Sequence, residues 1–109
     1  MGTTKQFKLF IDDDAGKPDM EDWRNPPDDS WSVAHSSKEA IELTVANGFP
    51  ELMDLDHDLG EGDDVLIYLK WLADNYYDST PMWSVHSRNT EGEKNINAFL
   101  LSWIKSKSL

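Results

Sequence analysis

The sequence predicts an α/β fold, a short parallel sheet of about four strands flanked by helices, within one domain spanning 1–109. Three observations carry that expectation. Short apolar runs alternate along the chain with stretches whose apolar residues recur at helical spacing, and this alternation builds parallel sheets with right-handed crossovers. Each helical stretch opens on residues that cap helices. All three histidines, His35, His57 and His86, fall where a predicted strand ends.

The first strand is read over Lys5 to Ile11 (KQFKLFI), closing on Asp12-Asp13-Asp14. From Ala15 to Ser30 the chain is rich in Pro, Asp and Gly, and Pro26-Pro27 excludes a helix there, so a long loop is expected. Trp31 to His35 alternates as a second strand. Ser36-Ser37-Lys38-Glu39 then has capping-box spacing, with Glu39 reaching back. The helix behind it carries Ala40, Ile41, Thr44 and Val45 on one side and stops at Gly48 and Pro50.

Glu51 to Asp56 reads as the third strand, with Asp54 an unexplained polar residue inside it. Asp63 or Asp64 caps the next helix, where Val65, Leu66, Leu69, Leu72, Ala73 and Tyr76 form an apolar stripe. Met82 to His86 is the fourth strand. Thr90-Glu91-Gly92-Glu93 is a second capping box, followed by the stripe Ile96, Phe99, Leu100, Trp103 and Ile104.

Composition narrows the function. A net charge of -11 opposes an extended nucleic-acid surface or an anionic membrane surface, though it leaves room for a pocket that takes one phosphate. The absence of cysteine removes disulfides, thiolate chemistry and Cys-based zinc sites. No apolar run approaches bilayer length, so a cytoplasmic address is expected, with a monomer as the default state.

In open α/β sheets ligands bind beyond the carboxyl ends of the strands. That edge collects Asp12-Asp13, His35, Asp56-His57-Asp58 and His86-Ser87. The spacing of Asp54, Asp56 and Asp58 first suggests a calcium loop, which would need glycine at 59 and glutamate at 65. Leu59 and Val65 stand there, and the calcium loop fails. If the first and third strands are neighbours, Asp12, Asp13 and Asp56 converge, and a hard divalent cation, Mg²⁺ or Mn²⁺, would relieve their repulsion. The competing account is a solvated acidic rim. Asp58 either joins the metal, orients His57 or caps a turn.

His57, His86 and His35 are candidates for moving protons, against a purely structural role. Ser87 and the free N–H groups of the Thr90 helix start suit an anion, and Arg24, Arg88 and Asn89 could complete that phosphate site. Gly60 and Gly62 serve the tight turn after the third strand.

Taken together, these residues resemble the response-regulator receiver fold: a paired aspartate after strand one, an aspartate ending strand three and a hydroxyl ending strand four. The resemblance implies a three-layer, flavodoxin-like architecture with strand order 2-1-3-4. It would give Mg²⁺ to Asp12-Asp13, phosphate acceptance to Asp56 and phosphoryl contact to Ser87. A receiver offshoot is matched more closely. Leu55 to Gly60 (LDHDLG), His86-Ser87 with Asn89 and Gly92, Trp31, Glu39-Ala40 and the early aspartates resemble the cyclic-phosphate processing receiver domains. That resemblance implies action on 2′,3′-cyclic phosphate ends of RNA or on related small phosphorylated ligands. Two departures stand out. The ordinary receiver lysine after a fifth strand is missing, and the arginine expected just behind the aspartate pair has its nearest counterpart in Arg24. Three functions follow: a metal-dependent cyclic phosphodiesterase, a non-catalytic phosphate- or nucleotide-binding module, or a signalling domain phosphorylated on Asp56.

Overall fold

The computed structural model describes residues 7–15, 26–87 and 89–107. Lys5 and Gln6 of the expected first strand, most of the expected loop, and Arg24 and Arg88 lie outside them. Four strands and three helices follow one another: β1 (Lys8–Ile11), β2 (Trp31–Ala34), α1 (Ser37–Asn47), β3 (Leu52–Leu55), α2 (Val65–Asn75), β4 (Trp83–Val85) and α3 (Thr90–Ser106). The strands form one parallel sheet in the order β2-β1-β3-β4. That is the order the receiver resemblance implies. Within the described residues each strand is one or two residues shorter than the sequence suggested: Phe7, His35, Glu51, Asp56, Met82 and His86 lie just outside the strands.

Alternation along the strands divides the sheet into two faces. Leu9, Ile11, Ala34, Met53 and Leu55 are fully buried and share a core with Ala40 of α1, Tyr68, Leu69 and Leu72 of α2, and Ile96, Leu100 and Trp103 of α3. Burying each large side chain is worth about 1.5–3 kcal/mol, so this face supplies most of the drive to fold. Trp83 of β4 donates its indole N–H to Asn97 Oδ1 at 2.9 Å, which ties α3 to the same face. All three helices therefore lie on one side. Among the described residues no helix covers the other face, where Phe10, Val33, Asp54 and Ser84 stand in register.

The helix ends refine the sequence reading. Ser36 caps α1 by accepting the Glu39 N–H, while Glu39 Oε1 accepts the N–H of His35, one residue before the cap. Asp64 caps α2 by accepting the Leu66 N–H. Its neighbour Asp63 instead accepts the backbone N–H and hydroxyl of Ser37, at 2.9 and 2.6 Å, joining the starts of α1 and α2. For α3 the cap is Asn89 rather than Thr90, since Asn89 Oδ1 accepts the Gly92 N–H at 2.9 Å.

Two stripes also need correction. Val45 was expected on the buried side of α1 but is 69% exposed, because Ser37, Ala40 and Thr44 centre the buried face and Val45 falls past its rim. Tyr68 did not figure in the expected α2 stripe and is fully buried. Its hydroxyl donates to Thr44 Oγ1 at 2.8 Å, and Thr44 in turn donates to the Ala40 carbonyl, which makes the position tolerable. Among the described residues no helix is long and apolar enough to cross a membrane.

Candidate functional site

The site begins where the strands end. Asp12, Asp56 and His86 each follow a strand directly, and each donates its backbone N–H one step further along the ladder. Asp12 donates to the Ala34 carbonyl at 3.1 Å, Asp56 to Ile11 at 3.0 Å and His86 to Leu55 at 2.9 Å. Sheet hydrogen bonding, rather than loop packing, thus fixes where these side chains start.

From those anchors the carboxylates converge. Asp12, Asp13 and Asp56 each bring an oxygen to within 4.8 Å of the others. Asp12 is fully buried and Asp56 is 5% exposed. Like charges at that range repel by roughly 4 kcal/mol per pair at the effective dielectric of a protein surface. A small divalent cation gathers oxygens at about 2.0–2.1 Å, so a trio this close needs only slight contraction to hold one. Three hard oxygen donors with no sulfur nearby suit Mg²⁺ or Mn²⁺ by type. Gly60, at φ 107°, brings the following turn past Asp13, where an added Cβ would lie 3.9 Å from Asp13 Oδ2.

His86 stands at the side of this cluster. Its Nε2 donates to Asp12 Oδ2 at 3.0 Å and its Nδ1 donates to Asp54 Oδ1 at 2.6 Å, while its ring stacks on Phe10 at 4.5 Å and 12°. Ionised carboxylates only accept, so both ring nitrogens must carry protons and the ring is an imidazolium. Burial works against that charge. The hydrogen bonds it donates to Asp12 and Asp54 outweigh it and push the His86 pKa up to about 9. Asp54, the unexplained residue of the third strand, thereby acquires a partner.

A second string of side chains runs from His57. Its Nδ1 lies 2.9 Å from Asp58 Oδ1, and Asn89 donates its side-chain amide to Asp58 Oδ2 at 3.1 Å. The bond to His57, then that from Asn89, holds the Asp58 carboxyl below its usual range. Of the three roles open to Asp58, the contact with His57 is the one seen. Ser87 Oγ accepts the Asn89 N–H at 3.1 Å, which leads into the start of α3. His35 sits apart: its Nδ1 meets Glu39 at 3.1 Å and its Nε2 donates to the Ala15 carbonyl at 2.9 Å. It fastens the end of β2 to the chain leaving β1.

The geometry therefore joins Asp12, Asp13, Asp56 and His86, places His57, Asp58, Ser87 and Asn89 in a neighbouring chain of contacts, and gives His35 bonds to Glu39 and Ala15. Two members escaped the sequence reading. Asp54 could have been suspected from alternation, which puts it on the Phe10 face and away from the core. The Phe10 ring beneath His86 left no such signal.

No curated protein and no solved structure matches the chain significantly. The family model of the cyclic-phosphate processing receiver domain matches residues 7–102. That span takes in all four strands, the acidic trio, His86 and most of α3, and the chain belongs to the family of cyclic-phosphate processing receiver domains.

Proposed function

We propose that this domain opens 2′,3′-cyclic phosphates, at RNA ends or on nucleotides, to monophosphates by metal-assisted hydrolysis. The observation that carries the reading is the carboxylate trio of Asp12, Asp13 and Asp56 with a charged His86 3.0 Å from Asp12. A Mg²⁺ or Mn²⁺ ion held by the trio would polarise the phosphate and lower the pKa of a bound water. The remaining work falls to the protein. His57, steadied at Nδ1 by Asp58, has Nε2 to accept a proton from the attacking water. His86 carries the proton that the departing 2′ or 3′ oxygen requires. Ser87, Asn89 and the first turn of α3 receive the phosphate oxygens. His35 is the third candidate for proton transfer. A strained five-membered cyclic ester asks less of such a site than an ordinary diester.

One observation favours a second reading, a non-catalytic module that holds the same ligand. Both nitrogens of His86 are engaged by carboxylates, which suits a structural clamp as well as an acid. Incubating the purified protein with 2′,3′-cyclic nucleotides, with and without Mg²⁺ or Mn²⁺, separates the two. Slow, metal-dependent opening that disappears in a folded His86→Ala variant supports the enzyme. Binding without opening across neutral pH replaces it with the module, and neither binding nor opening removes both.

A further inference from the structure

Asp54 is a carboxylate in mid-strand. It belongs to the face of the sheet that carries Phe10, and its side chain is 19% exposed, in a position where sheets usually hold β-branched or aromatic residues. A charge there is costly unless it is hydrogen-bonded. Its bond to His86 Nδ1, at 2.6 Å, supplies that compensation.

The consequence reaches the acidic trio. An imidazole free to turn about its Cβ–Cγ bond could present either edge to Asp12. Here Asp54 holds the Nδ1 edge and Phe10 fixes the plane, so Nε2 is aimed at Asp12 Oδ2. The other oxygen of Asp12 accepts the Asp14 N–H at 2.8 Å, and the carboxylate is thereby gripped from two sides. Such outer partners orient metal ligands, and their loss ordinarily costs about 10–100-fold in affinity.

We infer that Asp54 is a positioning residue for the cation site: acting through His86, it fixes the orientation in which Asp12 meets a divalent ion. The inference rests on the metal reading above. Asp54 itself touches neither the trio nor a substrate in this role.

Binding of Mn²⁺ alone, followed by calorimetry or by loss of the free-ion paramagnetic signal, provides the test. Asp54→Ala, which removes the acceptor, should weaken Mn²⁺ by about 10–100-fold, while Ser84→Ala, its exposed neighbour in register on β4, should leave affinity unchanged. Because the effect passes through His86, it should shrink to about twofold or less when Asp54→Ala is made in a His86→Ala background. If His86→Ala does not fold, His86→Phe keeps a ring on Phe10 and removes both hydrogen bonds. Equal Mn²⁺ affinity in wild type and Asp54→Ala overturns the inference. So does full additivity of the two substitutions, which would reduce Asp54 to a distant negative charge. A wild-type protein that binds no Mn²⁺ overturns the metal reading itself, an outcome distinct from the other two.

Discussion

Gly92, in the first turn of α3, lies directly against the ring of His57. A Cβ at Gly92 would stand 2.7 Å from the His57 Cβ and 2.9 Å from its Cδ2, closer than such atoms approach. In an ordinary helix, replacing glycine with alanine gains about 1 kcal/mol. Here the contact should reverse the sign. Gly92→Ala is expected to destabilise by about 1–3 kcal/mol, as overpacking does. In a His57→Ala background the ring is gone but its Cβ remains, so relief should be partial. Denaturant unfolding of the four proteins checks this, and a neutral or stabilised Gly92→Ala would contradict the packing described.

The acidic trio makes a prediction about stability. Mg²⁺ or Mn²⁺ should raise the melting temperature with concentration, by about 2.7 kcal/mol of stabilisation when the ion is at a hundred times its dissociation constant. Asp56→Asn should abolish that response. Removing one charge from three within 4.8 Å should leave the metal-free protein as stable as wild type or more so. An undiminished response in Asp56→Asn would exclude Asp56 as a ligand.

The histidines should separate by role. His35 is bonded to Glu39 and the Ala15 carbonyl, whereas His86 touches Asp12 and His57 is held by Asp58. His57→Ala and His86→Ala are therefore expected to damage turnover or ligand binding more than His35→Ala does. His35→Ala should show itself mainly as lost stability. Comparing cyclic-nucleotide assays with melting curves for the three variants gives the ranking, and the reverse order would relocate the chemistry to the β2 end.

Glu39 should make part of the stability acid-sensitive. The His35 backbone N–H is the main cause that lowers its pKa from 4.5; slight burial opposes the shift and the His35 ring assists it. A carboxylate lowered on folding contributes stability that is complete above 4.5 and is lost as pH falls through the depressed value. Glu39→Gln should thus be less stable than wild type near neutrality, and the gap should close below pH 4.5. The contribution is small, since Glu39 is half exposed. Unfolding curves at a series of pH values report it; a gap constant into acid would mean the charge contributes nothing.

Local chemistry made much of this fold readable. Apolar runs of strand length, serine and aspartate caps, and the aspartates or histidines behind each strand were enough to place the site at one sheet edge, and the receiver resemblance ordered the strands. What stayed hidden depends on distance along the chain or on adjacent residues of similar competence. Asp54 is explained only by His86, 32 residues away. Asn89 and Thr90 can both cap, and reach decides for Asn89, whose Oδ1 meets the Gly92 N–H. Asp63 looked as suitable a cap as Asp64, yet its oxygens go to Ser37 on another helix. Val45 has the right residue type and the wrong angle.

The parallel sheet has a kinetic cost. No two of these strands form a hairpin. Central β1 must pair Lys8 with Trp31 on one side and with Leu52 on the other, contacts that close long stretches of chain before they return any burial. Refolding should accordingly be slower than in a helical bundle of equal size, and its early species should expose β1, the most apolar strand, without a partner. A net charge of -11 then acts during assembly as well as afterwards, because chains that repel one another have time to find the register that brings Asp12 beside Asp56.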